Sequence, residues 1–508
     1  MSERPPEKDP SAELPADIIE DPEISPQNAS GTLAAAAAFV SEPFDRDARP
    51  GIVELLRLSW PVMLSQVLIT AVALADIAMV GRLGSHAVAA VGYATQFFFM
   101  TQSALFAVGF ACVALMARSI GAEDPARARA FLGASLWVGV ATAALVCGAA
   151  LIAPRTILGW LSAEREVIEL TVPYMRLVLS SSLLLAVSLV LENGLRADKD
   201  TFTPMLVAWI VAGVKLAMSS LLIFGYAGLP RLELVGAGVA TVISQLVGLV
   251  AFVTVVARRP ATSPVAVRPR DLVTGLPLLG AVVRVAAPGV AERMLLNLAL
   301  LSYFAILSGY GTVAVAAYTL GVRAISFSWI PGTGFAAAVA TLVGQALGRG
   351  DEQAATVIGR RAVAVALWTA VILGIVAAWL REPIAHALTT DPATVAMLIP
   401  LLLSIAIAQP MLQTHFTLAG IFRGAGNNWT PLVSVAVGNW GVRVPLAIVC
   451  AKVLHTEIVW VWAVLVVDHL ARMIWLGVGF RNGSWKRRNP SSRAPGAPRG
   501  VAPRPSAA

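Results

Sequence analysis

The sequence predicts an all-α membrane protein, with 12 transmembrane helices in two six-helix lobes related by a parallel internal repeat. Three observations predict it. Of the 508 residues, 57% are hydrophobic and only 13% are charged, whereas an ordinary soluble chain carries roughly 25% charged residues. Apolar runs recur along the chain, each near the roughly 20 residues a helix needs to cross the hydrocarbon core. Landmark residues in the two halves also repeat at one fixed distance.

The apolar runs fall near 58–80, 92–117, 131–153, 170–191, 204–224 and 235–257, then near 285–308, 320–346, 362–380, 396–418, 431–451 and 458–479. Each is expected to be helical, because lipid offers no partner to backbone N–H and C=O groups. Pro331, Gly332 and Gly334 lie within the eighth run and are expected to break or bend it.

The repeat has an offset of 227. It relates Arg57 to Arg284, Pro61 to Pro288, Gly84 to Gly311, Thr203-Pro204 to Thr430-Pro431, and Arg196 to Arg423. Six spans per half is an even number, so the halves share one orientation and a substrate site is expected between them. The expected organisation is an acidic, disordered tail (1–49), an N-lobe (50–260), a cytoplasmic linker (261–282), a C-lobe (283–480) and a basic, disordered tail (481–508). The first tail holds 11 acidic and 4 basic side chains, the last 7 basic and no acidic ones.

Loop charge sets the orientation. With the N-terminus in the cytoplasm, the inside loops hold 14 basic residues and the outside loops six. Both termini are then cytoplasmic, and Lys486, Arg487 and Arg488 just past the last helix read as ordinary positive-inside anchors, with contact to anionic lipid as the alternative. The three cysteines lie in apolar stretches and read as small buried hydrophobes, not as a disulfide or metal set.

DIAMVGRLGSHAVAAVG (76–92), GFAAAVATLVGQALGRGD (334–351), GIFRGAGNNWTP (420–431), GNWGVRVPLA (438–447) and GFRNGSWKRR (479–488) together resemble the multidrug and toxic compound extrusion (MATE) transporters, in particular their DinF-like branch. The resemblance covers about residues 52–488. It implies two V-shaped lobes in a cell membrane, here the bacterial inner membrane. It also implies antiport of a small-molecule substrate against H⁺ or Na⁺, by a chain expected to work as a monomer.

Coupling chemistry narrows by elimination. Of the 19 acidic residues in 50–480, all but Asp76, Glu292 and Asp468 fall in loops or at span ends. Carboxylates inside a membrane are expensive and read as functional by default. Asp76 falls on the acidic position the family uses in its first helix, and its repeat counterpart is Tyr303. The plain alternative is a helix-end carboxylate wetted by the outer loop. The DinF-like branch often carries an Asn and an Asp in the fifth helix, where this chain has Lys215 and Ser219. A lysine deep in a span needs a partner, and Asp76 is the expected one. Glu292 reads either as a third coupling residue or as a helix-entry carboxylate near Arg284 and Arg293. The tenth run has no carboxylate, although the sodium-coupled branch places one there, so H⁺ is the expected coupling ion.

Asp468 and Arg472 are four apart on one helix face and read as a structural ion pair. Tyr93, Phe97, Tyr303 and Arg443 are the candidate cavity residues. Two other functions stay open. A flippase for lipid-linked glycans would need a cationic cavity, for which Lys215, Arg293, Arg323 and Arg443 are the candidates. An intramembrane enzyme would need clustered catalytic groups or metal ligands, and the sequence shows no such cluster, no HExxH and no Walker A motif. No cofactor, metal or nucleic acid is expected.

Overall fold

With no water to satisfy them, backbone groups in lipid must bond within their own segment. The chain follows that rule. A computed structural model describes residues 51–486 apart from 161–163 and 229, and the described residues form helices and turns with no β-strand. The first lobe contains α1 (Ile52–Gly81), α2 (Ser85–Gly121), α3 (Pro125–Ile152), α4 (Arg165–Ala197), α5 (Phe202–Phe224) and α6 (Glu233–Ala257). The second contains α7 (Leu279–Leu307), α8 in two pieces (Thr312–Ser328 and Ile330–Gly348), α9 (Glu352–Trp379), α10 (Pro392–Gly424), α11 (Trp429–Val453) and α12 (Ile458–Arg481). Among the described residues, twelve helices are long and apolar enough to cross a membrane.

The repeat shows in the helix ends. Adding 227 to the first residues of α1 to α5 gives 279, 312, 352, 392 and 429, which are the first residues of α7 to α11. Prolines recur inside matched helices, Pro61 with Pro288 and Pro173 with Pro400. Gly84 and Gly311 precede α2 and α8 with φ of +104° and +96°, a region that suits glycine and strains other residues. The break in α8 falls at Trp329, before Pro331, because a proline fits a helix at its first turn and not in its interior.

Burial is inverted relative to a soluble protein. Leu145, Ile152, Trp368 and Trp379 are among the most exposed side chains, as lipid-facing groups are. Inside, Leu105, Met116, Leu132 and Leu195 fill the first lobe, and Phe335, Phe422 and Trp462 the second.

Two expected boundaries shift. The segment read as a linker to 282 ends earlier, since α7 begins at Leu279. It is docked on the first lobe: Val265 is fully buried, Arg129 Nη1 donates to Ser263 O at 3.1 Å, and Trp137 Nε1 donates to Leu272 O at 3.3 Å. The segment read as a tail from 481 starts later, because Trp485 is fully buried and stacks on Phe480. The reading of 1–49 and of the remaining C-terminal stretch as disordered lies outside the described residues.

Ser85 and Ala122 are exposed at opposite ends of α2. Single cysteines there are expected to react with an impermeant maleimide from opposite sides of the membrane. Labelling of both from one side would contradict the topology.

Candidate functional site

In the first lobe, α1, α5 and α6 bring three polar groups to one point. Lys215 Nζ lies 3.2 Å from Asp76 Oδ1, and donates to Thr241 Oγ1 at 2.8 Å and to Ala237 O at 3.1 Å. Its three protons therefore have three acceptors. Ser219 Oγ, one turn beyond Lys215 on α5, donates to the same Asp76 Oδ1 at 3.1 Å. Both bonds fall on Oδ1, so Oδ2 has no hydrogen bond among the described residues. The carboxylate side chain keeps 18% exposure and the lysine 11%, so the pair is desolvated yet reachable. Tyr174 of α4 is buried in an apolar cluster with Val80 of α1 and Ile223 of α5, and Tyr93 and Phe97 of α2 pack half-buried against that cluster.

The second lobe is built differently. Asp468 on α12 is fully buried. Arg472 binds it through Nε to Oδ1 and Nη2 to Oδ2, both at 2.8 Å. Arg443 of α11 reaches Oδ2 at 2.6 Å. Arg472 Nη2 also donates to Asn439 Oδ1. The sequence-predicted pair is thus a group of three, and Arg443, expected to line a cavity, is a member of it. Tyr303 is fully buried, its hydroxyl donates to Val461 O at 2.8 Å, and its ring lies 5.7 Å from the Arg443 guanidinium. It presents no surface to a ligand in this conformation: Tyr318 packs on its ring, and Trp462 stacks on Tyr318. His469 stacks on His415 at 5.3 Å.

Gly438 of α11 is required at this contact. A Cβ there would lie 2.4 Å from Asp468 Oδ1 and 2.5 Å from Arg472 Nε, neither of which can move without breaking the charge network. Gly438→Ala is expected to lose about 2 kcal/mol of stability, in the range for overpacked sites, readable as a lowered thermal midpoint in detergent.

Glu292 of α7 pairs with neither Arg284 nor Arg293. Its Oε1 lies 2.6 Å from Arg423 Nη2 on α10, and that guanidinium sits 4.9 Å from the Phe110 ring of α2. The pair therefore marks the seam between lobes. There a Cβ on Gly121 would lie 2.0 Å from Gln345 O, and one on Gly348 would lie 2.3 Å from Arg118 O. Gln345 Nε2 donates to Ala197 O at 2.8 Å and Thr341 Oγ1 to Arg196 O at 3.1 Å. Side chains of α8 thus bond the last carbonyls of α4, one of which, Arg196 O, also accepts from Lys199 N. Beside this seam, Lys199 Nζ contacts Glu54 Oε1 at 2.8 Å; burial pushes its amine below the usual lysine range, and Glu54 partly offsets that. All these contacts lie at the end of the bundle that carries the basic loops. Farther along the same helices Phe99, Met100, Leu298 and Leu301 are exposed.

The sequence reading missed the Glu292–Arg423 partnership and the seam glycines. The repeat match of Arg196 to Arg423 marked Arg423, but nothing in the sequence gave its partner. The four cations considered for a glycan flippase do not converge: Lys215 is held by Asp76, Arg443 by Asp468, Arg293 adjoins Glu292 beside the seam, and Arg323 is exposed.

Two repeated lobes of membrane-crossing helices, closed against each other at one end and holding charged groups inside each lobe, define a membrane transporter. The chain belongs to the MatE family, whose sequence model matches it twice, over residues 61–221 and 288–449. It is 26% identical over 435 residues to the probable multidrug resistance protein NorM of Thermotoga maritima, covering 86% of this chain and 93% of the relative. It is likewise 26% identical over 340 residues to the FAD transporter of Shewanella oneidensis, covering 66% of this chain and 74% of that one. Among solved structures, a MOP superfamily transporter from Pyrococcus furiosus, described as having a binding pocket of reversed polarity, has the same fold. The TM-score is 0.78 at 21% identity, over 85% of this chain and 95% of that one. The chain is therefore a multi-pass membrane transporter of small molecules, not an enzyme.

Proposed function

We propose that this transporter is an antiporter that exports amphipathic small molecules in exchange for H⁺, working as a monomer in the bacterial inner membrane with its basic end and both termini in the cytoplasm. The observation that carries this reading is the Asp76–Lys215 pair, 3.2 Å apart inside the first lobe. Ionised, Asp76 holds Lys215 against α1. A proton on Asp76 removes that attraction, leaves the ammonium held by Thr241 and Ala237 O on α6 alone, and lets α1 and α5 repack. Substrate entering the lobe then competes with the protonated state, which is the coupling an antiporter needs.

Sodium is disfavoured by donor chemistry. The α10 helix holds no carboxylate, and the described residues include no group of three or more Asp, Glu, His or Cys placed to hold a metal ion. Glu292, the remaining candidate for coupling, is engaged by Arg423, and we assign it to the seam. Tyr93 and Phe97 of the same lobe supply apolar surface suited to flat hydrophobic compounds. Names of relatives that mention multidrug resistance support this substrate class.

The test is transport in proteoliposomes with a panel of amphipathic dyes. Efflux is expected to follow an imposed pH gradient and to collapse with a protonophore at constant Na⁺. Efflux that ignores the protonophore and follows a Na⁺ gradient would reject H⁺ coupling.

A further inference from the structure

We infer that the second lobe carries a binding site for an anionic group, a phosphate or carboxylate, built from Arg443 and Asn439 around Asp468. The inference goes beyond the proton-coupled reading and does not depend on it.

The two lobes hold quasi-equivalent sites with the carboxylate moved. In the first lobe, the cation on the fifth helix, Lys215, meets an acid from α1 and a hydroxyl from α6. In the second, the cation on α11, Arg443, meets a tyrosine ring from α7 and an acid from α12. Asp76 and Tyr303 are 227 apart, and so are Thr241 and Asp468. Each position keeps its place around the cation while the acid passes from the first helix of the lobe to the sixth.

The charge balance differs between them. Lys215 and Asp76 cancel. Around Asp468, two arginines share one carboxylate. The buried charged residues of the second lobe, among those described, are Glu292, Asp468, Arg423, Arg443 and Arg472. Glu292 is taken by Arg423, so the surplus positive charge sits at Asp468. A lysine in such a place has the option of losing its proton, whereas an arginine does not. An uncompensated buried charge is strongly unfavourable; the Tyr303 ring offsets part of it, and an anion from outside the lobe would offset the rest.

The unused hydrogen-bonding groups point the same way. Arg443 Nε and Asn439 Nδ2 are buried donors without a partner, on side chains that are 8% and 0% exposed. Both belong to groups already gathered at Asp468: Asn439 spends its oxygen on Arg472, and Arg443 spends Nη2 on the carboxylate. What remains free is donors, and donors call for an acceptor-rich ligand.

The helix that carries both residues is built to move. From Ala436 to Arg443, and again from Val449 to Val453, α11 is π-helical. Lys215 and Arg443 are 228 apart, one more than the repeat offset of 227, and a π turn accommodates such an extra residue. Such turns concentrate at functional sites. Sliding the π turn along α11 re-aims Arg443 away from Asp468 without unwinding the helix. Asp468 is then the resident occupant of the site, and the incoming anion replaces it on Arg443.

The experiment uses the full chain in nanodiscs of zwitterionic lipid, with riboflavin and flavin mononucleotide as probes that differ by one phosphate. Fluorescence anisotropy is expected to give flavin mononucleotide an affinity about tenfold higher than riboflavin, the size of one charge-assisted hydrogen bond, and millimolar inorganic phosphate is expected to abolish the difference. Arg443→Gln leaves the balanced Asp468–Arg472 pair, so it is expected to fold and to bind both flavins alike. Arg443→Lys is expected to keep part of the preference. Equal binding of the two flavins by the unmodified protein, or a preference that survives Arg443→Gln, would overturn the inference.

Discussion

Replacing Asp76 by Asn is expected to reduce pH-gradient-driven export about 100-fold, near the upper range of a single coupling free energy, while the protein still folds. The amide has the shape of the carboxyl and still accepts from Ser219, and Lys215 retains Thr241 and Ala237 O. What is lost is the ability to exchange a proton at this point. Lys215→Met acts in the other way, since it strands a carboxylate in an apolar lobe. That single change is expected to destabilise the protein by about 3 kcal/mol, the lower bound for breaking a buried pair. The double variant Asp76→Asn/Lys215→Met is expected to recover most of that loss. Thermal denaturation of the four proteins completes the cycle, and additive effects would show that the two side chains do not interact.

Gly121→Leu is expected to bring transport to background by a different route. The α2 and α8 helices meet there with no space for a Cβ, 2.0 Å from Gln345 O, and small residues are what allow membrane helices this close. A leucine holds the basic end apart, so the alternation between lobes cannot complete. Spin labels at Ala122 and Gln353, exposed on either side of the seam, are expected to move to longer distances in the variant. An unchanged distance distribution with normal transport would show that the seam does not gate.

Much of the fold was legible because the membrane leaves few choices. Apolar runs of fixed length must be helices, and the matched landmarks placed α1 to α5 over α7 to α11 before any geometry. The approach of Asp76 to Lys215 was legible for a similar reason: each is ionisable in an apolar span, and few partners are within reach. The second lobe was less legible. Glu292 was read against its neighbours Arg284 and Arg293, but its partner lies 131 residues away on α10. Sequence spacing gives the face of one helix and not the helix opposite. Arg443 was read as cavity lining because a periodic pattern cannot show a π turn, which adds one residue and rotates the rest of the helix about its axis. The glycines of the seam carried no signal of their own, since a glycine in an apolar span looks the same in lipid and against a backbone.

The central claim is that Asp76 exchanges a proton for substrate. The most direct measurement is proton movement in proteoliposomes loaded with a pH-sensitive dye, with no gradient imposed at the start. Adding a transported dye on one side is expected to drive protons the opposite way in the unmodified protein, and to drive none in Asp76→Asn. Proton movement of equal size in Asp76→Asn, or movement in the unmodified protein that requires Na⁺, would contradict the account.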